Sequence, residues 1–290
     1  LDAAVEAGVT VFDTADVYGD GRSEQLIGQY LKRRADANIF VATKMGRRLP
    51  QVPENYSTEN FREWSERSLR NLGVETLDLV QLHCPPTPVY SIDRVYDDLD
   101  QLVAEGKIRH YGVSVETSAE ALTAIARPNV ASVQIVFNAF RLKPLDEVLP
   151  AAIAAGVGII ARVPLASGLL SGKYTTETTF AENDHRNYNR DGSHFDVGET
   201  FAGVDFATGV EAAHEFSALA AEHELAPATA ALAWLAQLPG VSTVIPGARS
   251  PEQARANAAA GDVAELGAEF HARVVELYDR RFRAAVHERW

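Results

Sequence analysis

The sequence is poor in sulfur, with one cysteine, Cys84, and one methionine, Met45, among 290 residues. A single cysteine excludes a disulfide within the chain, which is typical of proteins in a reducing cytoplasm. No apolar run approaches the roughly 18 residues that cross a bilayer. We therefore expect a cytoplasmic location and no membrane partner.

Positive charge is also scarce. Against 40 acidic residues stand 27 basic ones, of which only five are lysines, and the net charge is −13. A surface of this sign repels nucleic-acid phosphates and anionic lipids, so we expect no nucleic-acid partner. A phosphate-bearing ligand would need a local cluster of donors. The sequence leaves the oligomeric state open.

Two further motifs are missing. His83 and Cys84 form a single adjacent pair, and the other histidines lack the spacing of metal ligands, so we expect no metal. No glycine-rich dinucleotide fingerprint follows any apolar run, because the Gly156–Gly158 pair precedes such a run.

The sequence does contain a repeated alternation of short apolar runs and helical stretches. The runs are nearly continuous in apolar residues, which is typical of strands buried on both faces. They cover residues 9–13, 39–44, 77–83, 108–114, 132–138, 157–163 and 242–246. Helical signals between them include Gly73 after an apolar stripe, Pro227 at a first turn, and the stretches 209–224 and 265–283.

This alternation predicts a parallel α/β sheet, and we expect a (β/α)8 TIM barrel forming a single domain over residues 1–290. A doubly wound open sheet is the alternative, and it fits less well without the fingerprint. Residues 1–8 resemble the last turns of a helix that ends at Gly8. One strand before that helix would bring the total to eight. We therefore expect that a hairpin and first strand are missing from this sequence.

One connection, residues 166–208, is long and polar. Loops of this length in a compact domain are usually functional or disordered, and we favour a lid on the catalytic face. His185 and Arg186 are candidates for contact with an anionic or sugar substrate, although such residues are more often solvated.

Polar side chains occur where the apolar runs end. Asp13, Lys44 and His83 close three successive runs, and Tyr18 follows Asp13. The carboxyl ends of barrel strands form the active site, so these residues should converge. A tyrosine has a pKa near 10, and a nearby ammonium favours its deprotonated form. The pattern predicts that Tyr18 donates a proton to a carbonyl oxygen while hydride reaches the carbon.

In this order, these residues resemble the aldo-keto reductase family over nearly the whole chain. The matching segments are DTADVYG at 13–19, SE at 23–24, ATK at 42–44, DLVQLH at 78–83, GVS at 112–114, Gln134 with Asn138, PLASGLLSGK at 164–173 and VIPGAR at 244–249. The resemblance implies an NADPH-dependent carbonyl reductase. Tyr18 would be the general acid, Lys44 and His83 would tune it, and Asp13 would anchor Lys44; we call these four the tetrad.

The resemblance also assigns a cofactor site. Ser114 and Gln134 match positions at the nicotinamide carboxamide, and Lys173 matches one near the pyrophosphate. Arg249 is the expected partner of a 2′-phosphate, because a guanidinium offers several donors. Leu165 and Gly168, in the segment 165–168, also match positions around the pyrophosphate. Gly247, Ala248, Gln253 and Asn257 match the adenosine end together with Arg249. Arg162 and Pro164 are the remaining cofactor positions.

Two positions depart from the family pattern. Val115 stands where many members have an asparagine, which removes one expected contact to the carboxamide. Arg162 stands where an aromatic often stacks on the nicotinamide, and its guanidinium plane offers a stacking surface instead.

Two other functions are compatible with the same residues. The chain could be a binding protein that senses nicotinamide redox state with little turnover. A barrel aldolase using Lys44 as a Schiff base is the third hypothesis. A neighbouring Asp13 argues against the aldolase, because a paired lysine stays protonated.

Overall fold

The computed structural model describes residues 1–189, 201 and 204–290. Seven strands lie in one sheet in chain order, and the ladders from the first to the fifth are parallel. The strands are β1 (Val11–Asp13), β2 (Phe40–Met45), β3 (Leu77–His83), β4 (Ile108–Ser114), β5 (Val130–Val136), β6 (Gly158–Arg162) and β7 (Val241–Ile245). A doubly wound sheet would have a rearranged strand order, so the alternative architecture is wrong.

Helices follow the strands as the alternation predicts. They are α1 (Asp2–Glu6), α2 (Arg22–Arg33), α3 (Thr58–Leu72), α4 (Asp93–Ala104), α5 (Ser118–Ile125), α6 (Leu149–Ala155), α7 (His185–Tyr188), α8 (Phe206–Glu222), α9 (Pro227–Ala236), α10 (Pro251–Ala258), α11 (Gly267–Tyr278) and α12 (Ala284–Val286). Gly73 ends α3 in a left-handed conformation with φ 66°, and Pro227 opens α9 at its first turn. Both fit their sequence signals.

The strand boundaries differ from the predicted runs by up to two residues. The largest shift is in β5, which begins and ends two residues before the predicted run 132–138. Asn138 therefore lies beyond the strand, in an isolated bridge with Arg141. Its side-chain amide donates to the Val163 carbonyl oxygen at 3.0 Å, so it holds the adjacent turn.

The described residues form two compact units. The first comprises Leu1–Val115, Ala119–Gln134 and Ala151–Ile159. Its core includes Tyr56, Phe61 and Trp64, whose rings meet edge to face at 5.9–6.3 Å between centroids. The second comprises Glu116–Ser118, Ile135–Pro150 and Ile160–Trp290. Its core includes edge-to-face pairs such as Phe216 with Phe270. The single domain over residues 1–290 stays a prediction.

The long polar connection is less uniform than predicted. A helical turn, Ala166–Ser171, starts it, the four-residue α7 lies within it, and α8 begins at Phe206, before the predicted end at 208. Residues 190–200, 202 and 203 of the predicted lid lie outside the described residues. None of the helices in the described ranges has the length and apolar character to span a bilayer.

Candidate active site

The tetrad residues come from neighbouring strand ends of the first unit. Asp13 is the last residue of β1, Lys44 the penultimate residue of β2 and His83 the last of β3. Tyr18 lies on the connection from β1 to α2. Since parallel strands end at the same edge of a sheet, this register brings the four side chains together.

Asp13 and Lys44 form a direct ion pair. The Lys44 Nζ lies 2.5 Å from Asp13 Oδ1 and donates also to the Thr14 carbonyl oxygen at 2.8 Å. The Lys44 side chain is 1% exposed and that of Asp13 10%. An ammonium in such a place loses its hydration, so the carboxylate keeps it charged.

Tyr18 packs against the other members of the tetrad. The Lys44 Nζ is 5.4 Å from the centre of the Tyr18 ring. The rings of Tyr18 and His83 meet edge to face, with 5.7 Å between centroids. His83 is buried, while Tyr18 remains 44% exposed. A phenol in this arrangement borders a cation and an imidazole while solvent-sized molecules can still reach it.

A row of polar residues continues across the sheet. His83 pairs in register with Ser114 of β4, and Ser114 pairs with Gln134 of β5. Residues in parallel register point to the same face. The Gln134 Nε2 donates to Asp13 Oδ2 at 2.8 Å. Gln134, assigned above to the cofactor amide, thus also holds the carboxylate that anchors Lys44.

Sequence reasoning missed Gln81, which belongs to this row. It faces Lys44 across the β2–β3 ladder, and its Nε2 lies 3.5 Å from Asp13 Oδ2. Its position two residues before His83 was the available signal, since side chains of a strand alternate between faces.

Asp16 and Glu24, on either side of Tyr18 in the sequence, are fully buried. Glu24 accepts hydrogen bonds from Thr43 Oγ1 at 2.6 Å and from Asn71 Nδ2 at 2.8 Å. Burial, reinforced by the charge of Glu24, raises the pKa of Asp16 to about 7, while Arg48 and Arg67 oppose the shift. Asp16 could not be singled out from the sequence, where its one distinction is its place in the matching segment 13–19.

The assigned pyrophosphate positions lie in the second unit, on the turn after β6. Arg162 ends this strand, and its carbonyl oxygen accepts from the Phe137 N–H at 3.1 Å. Val163, Ala166 and Ser167 have left-handed φ values of 47–54°, and Gly168 has 98°. Such a cluster of strained backbone is found chiefly at functional sites. Pro164 is buried and Leu165 half-buried within this turn.

The assigned adenosine positions form a second turn, at the start of α10. The Asn257 amide donates to the Gly247 carbonyl oxygen at 2.8 Å, and Gln253 Oε1 accepts from the Arg249 N–H at 2.8 Å. Ala248 and Arg249 are exposed. Gln253 and Asn257, four residues apart on one helix face, therefore shape the loop that presents Arg249.

Two cations in this unit suit an anion. Within the described ranges, the side chains of Lys173 and Arg249 are exposed and no carboxylate pairs with either. Many other arginines of this acidic chain are paired. Arg186, considered above for substrate contact, is one, since its guanidinium pairs with Asp184 and Tyr174. No group of three potential metal ligands occurs among the described residues.

Comparisons with known proteins show the family of the chain. The sequence model of the Aldo/keto reductase family matches residues 1–279. The aldo-keto reductase str7 of Strobilurus tenacellus is 34% identical over 270 residues, which cover 91% of this chain and 75% of that protein.

Solved structures of aldo-keto reductases are also similar to this chain. The glycerol dehydrogenase of Gluconobacter oxydans superimposes with a TM-score of 0.81 at 30% identity, covering 97% of this chain and 84% of that one. An aldo-keto reductase of Klebsiella pneumoniae, solved in complex with NADPH, gives 0.70 at 26% identity, covering 96% and 83%.

These likenesses confirm the (β/α)8 TIM-barrel class of the fold and an oxidoreductase. The chain belongs to the aldo/keto reductase family, as the sequence resemblance predicted.

Proposed function

We propose that the protein reduces the carbonyl group of an aldehyde, a ketone or a small sugar to the alcohol, with NADPH as reductant and Tyr18 as proton donor. The observation that carries this proposal is the Lys44–Asp13 ion pair, buried directly beside the Tyr18 and His83 rings. A phenol is a weak acid at neutral pH, and a fixed adjacent cation is the group that strengthens it.

In each of the two units, the residues present fit one part of NADPH, which supplies hydride when bound. Ser114 and Gln134 would hold the nicotinamide amide near the tetrad. Lys173 and the segment 165–168 would meet the pyrophosphate. Arg249, presented by Gln253 and Asn257, would meet the 2′-phosphate. The exposed cations at these positions supply the local donors that an anion needs on a chain of net charge −13.

Each tetrad residue has a distinct part in the proposed proton transfer. Asp13 keeps Lys44 charged and in place through their contact at 2.5 Å. Lys44 stabilises the negative charge that Tyr18 acquires when its proton moves to the substrate oxygen. His83, edge on to the Tyr18 ring, limits where the substrate oxygen can sit and offers it a hydrogen bond.

The test is removal of one hydroxyl. In Tyr18→Phe, substrate-dependent loss of NADPH absorbance should fall by at least about 10²-fold, the usual contribution of a general acid, while NADPH affinity stays close to that of the wild type. Tyr30→Phe is the matched control, because the buried Tyr30 hydroxyl has no hydrogen-bond partner among the described residues. Its turnover should be unchanged.

Undiminished turnover in Tyr18→Phe would contradict the proposal that Tyr18 is the proton donor. NADPH binding without turnover of any carbonyl in a broad panel would favour the redox-sensing binding protein instead. The Schiff-base aldolase is disfavoured by the Asp13 contact, because an ion-paired ammonium is not a nucleophile.

A further inference from the structure

Tyr18 lies on a short segment, residues 14–21, which we call the tyrosine loop. Three successive residues of this loop, Gly19, Asp20 and Gly21, have left-handed φ values of 59°, 54° and 91°. The two glycines adopt such values without steric cost, whereas the conformation of Asp20 persists because surrounding groups hold it. The Tyr18 ring contacts His83 and Lys44, and its side chain is 44% exposed. Its distance from these two partners therefore depends also on what holds the backbone on either side.

Arg67 of α3 makes hydrogen bonds to both sides of Tyr18. Its Nη1 donates to the Asp16 carbonyl oxygen at 3.0 Å. Its Nη2 donates to the Asp20 carbonyl oxygen at 2.7 Å and to Asp20 Oδ1 at 2.8 Å. The two carbonyls belong to residues two before and two after Tyr18. One guanidinium thus joins the two ends of the tyrosine loop.

The loop is shaped to admit this side chain. A Cβ atom at Gly21 would lie 3.0 Å from the Arg67 Nη2 and 2.7 Å from the Asn71 Nδ2. Asn71, one helical turn beyond Arg67, donates in turn to the buried Glu24. Arg48 reaches Asp20 Oδ1 at 3.1 Å and makes only a side-chain contact to the loop. Arg67 is thus the described side chain that connects the Asp16 and Asp20 carbonyls.

We propose that Arg67 is a positioning residue for the proton donor, holding the tyrosine loop so that Tyr18 stays beside Lys44 and His83. This inference rests on the proposed function of Tyr18. A planar guanidinium can donate to two carbonyls at once from two nitrogens, whereas an ammonium offers one point of attachment. Displacement of a reacting group by about 1 Å can cost of order a hundredfold in rate.

The test compares Arg67→Ala and Arg67→Lys with Arg62→Ala. Arg62 lies on the same helix and pairs with Glu105 through both guanidinium nitrogens, away from the tyrosine loop. Arg67→Ala should lower kcat by roughly tenfold to a hundredfold and leave the KM for NADPH unchanged. Arg67→Lys should fall between this variant and the wild type. Arg62→Ala should keep the wild-type kcat.

Two readouts separate positioning from a general loss of structure. Hydrogen exchange at the amides of Val17 to Asp20 should accelerate in Arg67→Ala, while the amides of β2 and β3 keep their protection. Added guanidinium at millimolar concentration should restore part of the kcat of Arg67→Ala. Should Arg67→Ala fold poorly, the same exchange measurement on Arg67→Lys, which keeps the charge, decides the matter.

A wild-type kcat in Arg67→Ala, or a fall in kcat without faster exchange in the tyrosine loop, would overturn the inference. An equal fall in Arg62→Ala would do the same. Failure of the proposed function has a different signature, namely a wild-type protein without carbonyl turnover. The exchange measurement would then still show whether Arg67 holds the loop.

Discussion

At the scale of single residues, the ion pair of Asp13 and Lys44 links stability to chemistry. The Lys44 ammonium is 1% exposed and sits between Asp13 and the Thr14 carbonyl. A charge in such a place is tolerated because its partner carries the opposite charge, so either residue without the other would destabilise the folded protein. The same charge borders the Tyr18 ring.

Replacement of this ammonium should affect both properties. Lys44→Met should lower kcat by about 10²–10⁴-fold, because the charge beside Tyr18 is lost. It should also lower the free energy of unfolding by about 3 kcal/mol, because the Asp13 carboxylate, in a side chain only 10% exposed, loses its cationic partner. Steady-state kinetics and urea unfolding measure the two effects.

The double variant Asp13→Asn, Lys44→Met is the control for stability. It removes both charges, so it should recover much of the lost unfolding free energy while kcat stays low. Equal instability of single and double variants would contradict this account of the pair.

Asp16 should make stability depend on pH. Its pKa is raised to about 7 by burial and by Glu24, so the folded protein binds its proton more tightly than the unfolded chain does. The resulting stabilisation is complete below the ordinary pKa near 4 and is lost as pH rises through 7. Between pH 6 and 8.5 the wild type should lose on the order of 1 kcal/mol of unfolding free energy from this group.

Urea unfolding of Asp16→Asn at these two pH values checks the expectation. The variant should lose less unfolding free energy than the wild type between pH 6 and 8.5, because it lacks the titrating carboxyl group. Asp262→Asn changes an exposed carboxylate and should show the same pH-dependent loss of unfolding free energy as the wild type. An equal pH-dependent loss of unfolding free energy in Asp16→Asn and the wild type would show that other titratable groups cause it.

At the scale of secondary structure, the approach of α2 to α3 depends on a helical glycine. A Cβ at Gly28 would lie 2.6 Å from the Leu72 carbonyl oxygen and 2.7 Å from that of Asn71. These are backbone atoms at the end of α3, the helix that carries Arg67, and they cannot move without moving the helix. The absence of a side chain at Gly28 therefore sets the distance between the two helices.

Gly28→Ala should destabilise the protein by about 1–3 kcal/mol, the usual cost of overpacking. Helix propensity alone predicts the opposite, a gain of up to about 1 kcal/mol. Gly261→Ala is the control, because a Cβ there meets nothing within 4 Å. Thermal unfolding of the three proteins decides between packing and propensity.

Much of this architecture could be predicted from the sequence. The central strands were located to within two residues, because strands buried on both faces are continuous in apolar residues. The start of α8 at Phe206 and the turn at Ala166–Ser171 were missed, since a polar segment has no hydrophobic period. Strand ends were less certain than strand centres, as Asn138 illustrates.

The candidate site was predictable in part. Residues with a titratable side chain at a strand end, such as Asp13 and His83, could be found from the pattern. Arg67 could not, because the two bonds that join the ends of the tyrosine loop go to backbone carbonyls 51 and 47 positions away, and a carbonyl is the same for every residue type. The bond from Gln134 to Asp13 joins residues 121 positions apart, and only the folded sheet reveals it.

At the scale of the whole molecule, negative charge exceeds positive charge. The net charge of −13 disfavours any anionic ligand at long range, and exposed Lys173 and Arg249 are the proposed local donors, of which Arg249 is assigned to the 2′-phosphate. Discrimination between NADPH and NADH should then depend on this one side chain, because the two differ by the 2′-phosphate.

Arg249→Gln should weaken NADPH binding by about tenfold or more, since a hydrogen bond to a charged group contributes about 1.5–3 kcal/mol. NADH affinity should change little. Added salt should weaken NADPH binding to the wild type more than to the variant, because it screens the exposed charge pair. Fluorescence titration with both nucleotides checks this, and equal losses for both would contradict it.

The bond from Gln134 to Asp13 gives the site a built-in polarity. A carboxylate can only accept, so the Gln134 group must turn its nitrogen towards Asp13 and its oxygen the other way. The Gln134 Oε1 is therefore turned away from Asp13, where it can accept a hydrogen bond from a bound ligand. A carboxamide on the ring can donate an N–H to this oxygen, whereas a carboxylate has no donor and would set negative charge against it, so we expect nicotinamide to be bound in preference to nicotinic acid.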